Sequence, residues 1–429
     1  MDVQRAFSQD AVEVQPVSLE DQIERYAELL VRKGVALQHQ QELVVTGPIE
    51  RADFVRLVVK QAYEAGAANV TVIWSDDELS RLSFQYHETS FFEEVPEWKC
   101  AQLNGLADAG AAFLFLSGSD PNGMRGIDPA KMATASRARN EKCATYRKAL
   151  DFGKCAWCIA GVPVEAWARA VFPELDGREA LTHLWRSILS AARVDGPDPQ
   201  EAWERHNAAF EKNKGILNGY AFDQLRYRSA NGTDLTIGMN KGHLWMGGST
   251  TAVNGRVFFP NIPTEEVFSS PDRTRAEGVV HSAMPLVHAG NMVDDFWLRF
   301  EDGKVVDFGA REGEDVLRSI IETDEGSCRL GECALIAKDT PIRQSGLLFL
   351  NTLYDENASC HLALGRGFPE CVEGGFGMSE EELMARGVNS SMAHVDFMIG
   401  ADDLEVVGVT ETGEEVPVFL EGRWAWDKA

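Results

Sequence analysis

Two spacings of apolar residues organise the first half of the chain. Between Ser18 and Gly34, Ile23, Tyr26 and Leu30 recur at the interval of one helical face. Ser18 with Asp21 has the form of an N-terminal capping pair, and Gly34 closes the segment. ELVVTGP (42–48), VTVIW (70–74), AAFLFLS (111–117) and WCIAGVP (157–163) are short apolar runs that predict buried strands. Helical patterns stand between them. One runs from Ala52 to Ala65 with Phe54, Leu57, Val58 and Ala62 on one side; another opens at Asp128-Pro129 and runs toward Leu150. Further helices are expected over Val164–Phe172 and Ala180–Arg193. Strand alternating with helix predicts an α/β domain with a mainly parallel sheet.

After about Gly215 the pattern changes. LRYRSANGTDLTIGM reverses at Asn231-Gly232, WLRFEDGKVVDFG at Asp302-Gly303, and LEVVGVTETGEEVPVFL at Gly413, which are hairpin signals. One helix is expected around Glu314–Thr323. The second half therefore reads as a β-rich α+β domain. The expected division is 1–215 for the α/β N-terminal domain and 216–429 for a C-terminal domain that carries the chemistry. Two domains suit 429 residues, which exceed the usual size of a single core.

Composition narrows the partners. With 44% hydrophobic and 25% charged residues the chain has the balance of a globular protein. Its net charge of −26 would repel nucleic acid and anionic membranes. The opening MDVQRAFSQDAVEVQ has neither the basic nor the apolar stretch of an export signal, and no apolar run reaches the ~18 residues of a membrane helix. A cytoplasmic protein with reduced thiols is expected for the 8 cysteines. Cys155 and Cys158 have redox-motif spacing, but their apolar surroundings fit core cysteines.

Ionisable residues interrupt the apolar pattern in four later segments: NIPTEEVFSSP (261–271), RLGECAL (329–335), LYDENASCHLALG (353–365) and AHVDFMIG (393–400). On a strand, His394 and Asp396 point to one face while Val395 and Phe397 point to the other. An imidazole and a carboxylate among apolar neighbours must be paired, hydrated or bound to a cation, because burying a lone charge is costly. With Glu332, Glu356 and His361, they form an oxygen-and-imidazole set that suits Zn²⁺, Co²⁺ or Mn²⁺. Several carboxylates with two histidines exceed the needs of one ion and match a pair about 3.5–4 Å apart. The residues alone lead to a candidate two-metal hydrolase, with phosphate esters as an alternative substrate class.

NIPTEEVF, LGECAL, LYDENASCHLALG and HVDFMIG resemble the signature segments of the M29 metallo-aminopeptidases, the thermophilic aminopeptidase family. YAELLVRKGVALQ, AGAANVTVIWSD, DPNGMRGIDPAK, GVPVEAWARAVFPEL and DPQEAWERHNA resemble its N-terminal half, so the likeness covers nearly the whole chain. The resemblance implies a homodimer that removes apolar N-terminal residues from peptides with two divalent ions (Zn, Co, Mn or Mg). It implies Glu266, Glu332, Glu356, His361, His394 and Asp396 as ligands, with Glu266 preferred to its neighbour Glu265. For the hydrolytic step, Glu332 or a neighbouring carboxylate is expected to transfer the proton. It also implies a tyrosine where this chain has Phe368. That departure keeps open a non-catalytic homologue in which metal only stabilises a dimer.

Overall fold

A computed structural model describes residues 17–288 and 291–427. The opening segment 1–15, expected above to lack an export signal, lies outside the described residues. The expected first helix forms over Leu19–Leu29, and the Ser18 hydroxyl accepts a hydrogen bond from Asp21 N at 3.1 Å. Strands follow at Glu42–Pro48, Asn69–Ser75, Ala112–Ser117 and Trp157–Gly161, all parallel to their neighbours. Their order in the sheet is 157–161, 112–117, 42–48, 69–75, with a fifth strand, Asn261–Ile262, on the outer side of the first. Helices on this sheet bury Leu43, Val45, Leu114, Trp167 and Leu184 in one apolar core. Cys155 and Cys158 are buried as free thiols.

The pattern-based reading left out several short helices and three longer ones, Asp77–Tyr86, Glu97–Asp108 and Pro199–Tyr220. The last has 22 residues and contains position 215. Its signal was an Asp198-Pro199 start, the same N-cap and first-turn proline seen at Asp128-Pro129, and Asp198 does accept from Glu201 N. The helix expected to run on to Leu150 breaks at Cys143 into Pro129–Lys142 and Ala144–Asp151.

Antiparallel sheets dominate the later chain. A nine-stranded sheet contains the expected hairpins 224–228/234–239, 291–301/304–312 and 405–409/415–420. Asp302 and Gly303 both have positive φ, 51° and 74°, as the tight turn of a right-twisted hairpin requires. The second sheet has five strands in the order His394–Met398, His361–Gly365, Leu330–Leu335, Val267–Ser269, Met246–Gly247. Residues 261–269 pass directly from the edge of the parallel sheet into this antiparallel one, so Glu265 and Glu266 stand at the junction. The segment 349–358 also bridges: Phe349, Leu353, Tyr354 and Ala358 belong to the first core, whereas Cys360 and Leu362 belong to the second.

Candidate metal centre

The register of the five-stranded sheet gathers the predicted residues. Ala363 is opposite Glu332 on one side and Asp396 on the other. Residues opposite each other across an antiparallel pair project to the same face. His361 and His394, each two residues from a member of that row, share the face. Ala363 is the smallest side chain available there with a Cβ, and Gly365, paired with His394, has none. A larger residue in the middle strand would fill the space between the two carboxylates. A bulge between Leu330 and Glu332 sets the position of the glutamate in its strand.

Two groups of donor atoms result. Glu266, Glu332 and His361 offer atoms all within 4.8 Å of one another, and so do Glu332, His394 and Asp396. Glu332 is common to both. His361 Nε2 stands 3.4 Å from Glu266 Oε2. His394 Nε2 stands 3.2 Å from both Glu332 Oε2 and Asp396 Oδ1. The other nitrogen of each ring faces a backbone carbonyl, His361 Nδ1 with Ser359 O at 3.3 Å and His394 Nδ1 with Arg366 O at 2.7 Å. Such a contact holds a proton on Nδ1, so that Nε2 can meet the carboxylates with its own proton or, once deprotonated, offer a lone pair to a metal.

The electrostatics fit a cation. Burial, and then the charge of Glu332, push the Glu266 carboxyl up to about 8. Burial followed by Asp396, Glu266 and Glu332 holds the Glu356 carboxyl well above its ordinary value. Burial works against a charged His394, yet contact with Asp396 and Glu332 raises it to about 11. Burial likewise opposes a charged His361, but Glu332, Glu266 and Asp396 raise it. In each case protons supply positive charge that crowded carboxylates demand. Asp396 Oδ1 is buried and faces His394 Nε2 at 3.2 Å without a well-aligned hydrogen bond. A divalent ion would neutralise this buried carboxylate more fully than the imidazole does. Oxygen and imidazole donors without thiolate suit the ions expected above.

Glu356 belongs to neither three-residue group, but it lines a cleft together with Asp396. Its neighbours carry structural duties that the sequence did not disclose. Asn357, fully buried, accepts from Glu265 N at 2.7 Å and donates to Leu353 O at 2.9 Å, tying the Glu356 turn to the Glu266 segment. Glu265 is turned away into an ion pair with Arg193 at 2.7 Å, so Glu266 is the glutamate that faces the other donors. Asp355 accepts from Phe349 N and Asn351 N, at 2.7 and 2.9 Å. The acidic pair in Tyr-Asp-Glu-Asn was the only available signal for Asp355. Phe368 stacks obliquely on His394, ring centres 5.0 Å apart, and meets Phe268 at 5.5 Å. The ring thus lies against the donor cluster without a hydroxyl to offer it.

A parallel-sheet half joined to an antiparallel half bearing carboxylates and histidines defines a hydrolase of the metal-dependent kind, and the chain belongs to the M29 family of thermophilic metalloproteases, which matches residues 19–424. Aminopeptidase AmpS of Bacillus subtilis (strain 168) is 43% identical across 95% of this chain and 100% of its own length. Aminopeptidase T of Thermus aquaticus is 42% identical across 94% of this chain and 98% of its own. The solved structure of wild-type AmpT from Thermus thermophilus superposes with a TM-score of 0.88 at 40% identity, covering 95% of this chain and 100% of that one. The protein is therefore a metallo-aminopeptidase that uses divalent metal, with the α/β and β-rich halves expected from its sequence.

Proposed function

We propose that the enzyme works with two divalent ions, Zn, Co, Mn or Mg, and removes apolar residues from peptide N-termini. Glu266 and His361 would hold one ion, His394 and Asp396 the other, and Glu332 both, with Glu356 available beside Asp396. The observation that carries this reading is the presence of Glu332 in both donor groups. When bound, such a pair supplies Lewis acidity and an activated water. Glu332 or a neighbouring carboxylate of the cluster takes a proton from the attacking water and returns it to the nitrogen of the broken peptide bond. The substrate's α-ammonium group pairs with Glu356 or Asp396, which restricts cleavage to the first residue.

No helix among the described residues is long and apolar enough to cross a membrane. We further propose a cytoplasmic homodimer acting on peptides, without nucleic-acid or membrane partners, in keeping with the family likeness and the net charge of −26. Light scattering should give twice the 47.3 kDa chain mass.

Metal analysis combined with aminoacyl-anilide hydrolysis tests the central reading. Chelation should abolish turnover, and add-back should restore it as binding approaches two ions per chain. Full activity with one ion per chain would overturn the dinuclear assignment. Turnover of a phosphate ester in preference to the anilides would overturn the substrate class.

A further inference from the structure

A small cleft opens beside the metal centre. Glu356 and Asp396 form one side; Leu286, Val287, Leu350 and Met398 supply apolar surface. Met398 reaches it from the strand that bears His394 and Asp396, being two residues beyond Asp396. Leu350 reaches it from a turn in an unusual conformation, with φ at 57°. Left-handed backbone costs a side-chain-bearing residue energy that glycine would not incur.

The turn is fixed by buried hydrogen bonds. The buried carboxylate of Asp355 accepts from the amides on both sides of Leu350, those of Phe349 and Asn351, at 2.7 and 2.9 Å. Trp167 Nε1 donates to Phe349 O at 2.5 Å, anchoring the turn on the first core. A strained residue held by surroundings that over-determine it is a feature of sites where a side chain must be aimed. Here the aimed side chain is apolar and faces the same cleft as the carboxylates.

We infer that this cleft receives the side chain of the substrate's N-terminal residue and that Leu350 is a specificity-determining residue. The inference rests on the aminopeptidase reading above. An N-terminal residue carries its ammonium and its side chain on the same carbon. If the ammonium meets Glu356 or Asp396, the side chain has to fall within a few ångströms, and the apolar surface of Leu286, Val287, Leu350 and Met398 lies in that range. A purely polar cleft beside the same carboxylates would have favoured charged or hydroxylated residues instead.

The test compares kcat/KM for leucyl-, alanyl- and phenylalanyl-anilides in the wild type and in Leu350→Ala and Leu350→Phe, with metal content and circular dichroism measured alongside. Truncating one apolar wall should lower the leucyl-to-alanyl ratio by about tenfold, the order expected for lost hydrophobic contact in a side-chain pocket. Metal content should match wild type, and alanyl turnover should fall less than leucyl turnover. Leu350→Phe should selectively depress the phenylalanyl substrate, which gives a second reading if the alanine variant misfolds. A ratio unchanged in both variants, or an equal loss on all substrates, overturns the assignment of Leu350 while leaving the aminopeptidase reading intact. A wild-type protein that cleaves no anilide removes both.

Discussion

The central strands of the two halves are buried alike but for different ends. In the parallel sheet, Leu43, Val44, Val45, Ala112, Phe113 and Leu114 are almost wholly inaccessible and carry no ionisable group. In the antiparallel sheet the strand Leu330–Leu335 is buried along its whole length, yet it contains Glu332, and the next strand begins with His361 at 1% exposure. Hydrophobic burial accounts for the first arrangement by itself. For the second it does not, because each buried carboxylate needs a counter-charge. In the metal-free fold, protons on Glu266, Glu356 and the two histidines lower the net negative charge, and divalent metal would replace them.

Substitutions that break this contrast differ in size and kind. The largest effect on activity is expected from Glu332→Gln, which keeps the shape but removes the shared anion. Turnover of aminoacyl-anilides should fall by about 10²–10⁴-fold, the usual weight of a proton-transferring group, with the circular dichroism spectrum unchanged. Retained activity would remove Glu332 from the mechanism. The opposite outcome is expected in the parallel sheet. Leu114→Ala should cost about 2–5 kcal/mol of stability in a denaturant titration, through lost burial and a cavity, while KM and metal content remain unaltered.

A pH series sharpens the comparison without mutation. Glu266 ionises near 4.5 when exposed and at about 8 in the metal-free fold, so between those values the folded state holds the extra proton. His394 is displaced in the same sense, to about 11 from 6.5, and its contribution is lost as pH rises through that higher value. Asp396, lowered by contact with His394 despite its burial, acts only at acid pH. Metal-free protein should therefore lose thermal stability from about pH 5 to 8, and metal should flatten the profile while releasing protons. A metal-free melting temperature that climbs over this interval would contradict the assigned charge balance. The smallest effect is expected from Phe368→Tyr. The ring already lies on His394, and the added hydroxyl should raise kcat by up to about tenfold with little change in melting temperature, a fraction of what a fully aligned transition-state donor contributes.

Local pattern made the strands at 42–48, 112–117 and 157–161 legible because each is an unbroken apolar run between turn signals. The helix Pro199–Tyr220 escaped notice because its buried residues, such as Trp203, Phe210 and Leu217, are widely spaced among polar ones. Position 215, read as the end of a domain, lies inside that helix, and Asn261–Ile262 returns to the first sheet after it. The donor residues were legible as polar interruptions in apolar segments, and the family resemblance ordered them. Asp355 and Asn357 were not, since their roles are to bind backbone groups that become neighbours only after folding.

The sequence alone pointed to most element types, the acidic character and the candidate donor side chains, because those depend on residue chemistry and short-range spacing. Tertiary structure decided that Glu265 turns to Arg193 while Glu266 joins His361, that Ala363 leaves open the space between Glu332 and Asp396, and that Leu350 is held against its conformational preference beside them. Those outcomes depend on strand register and on partners distant in the chain, which no local pattern encodes.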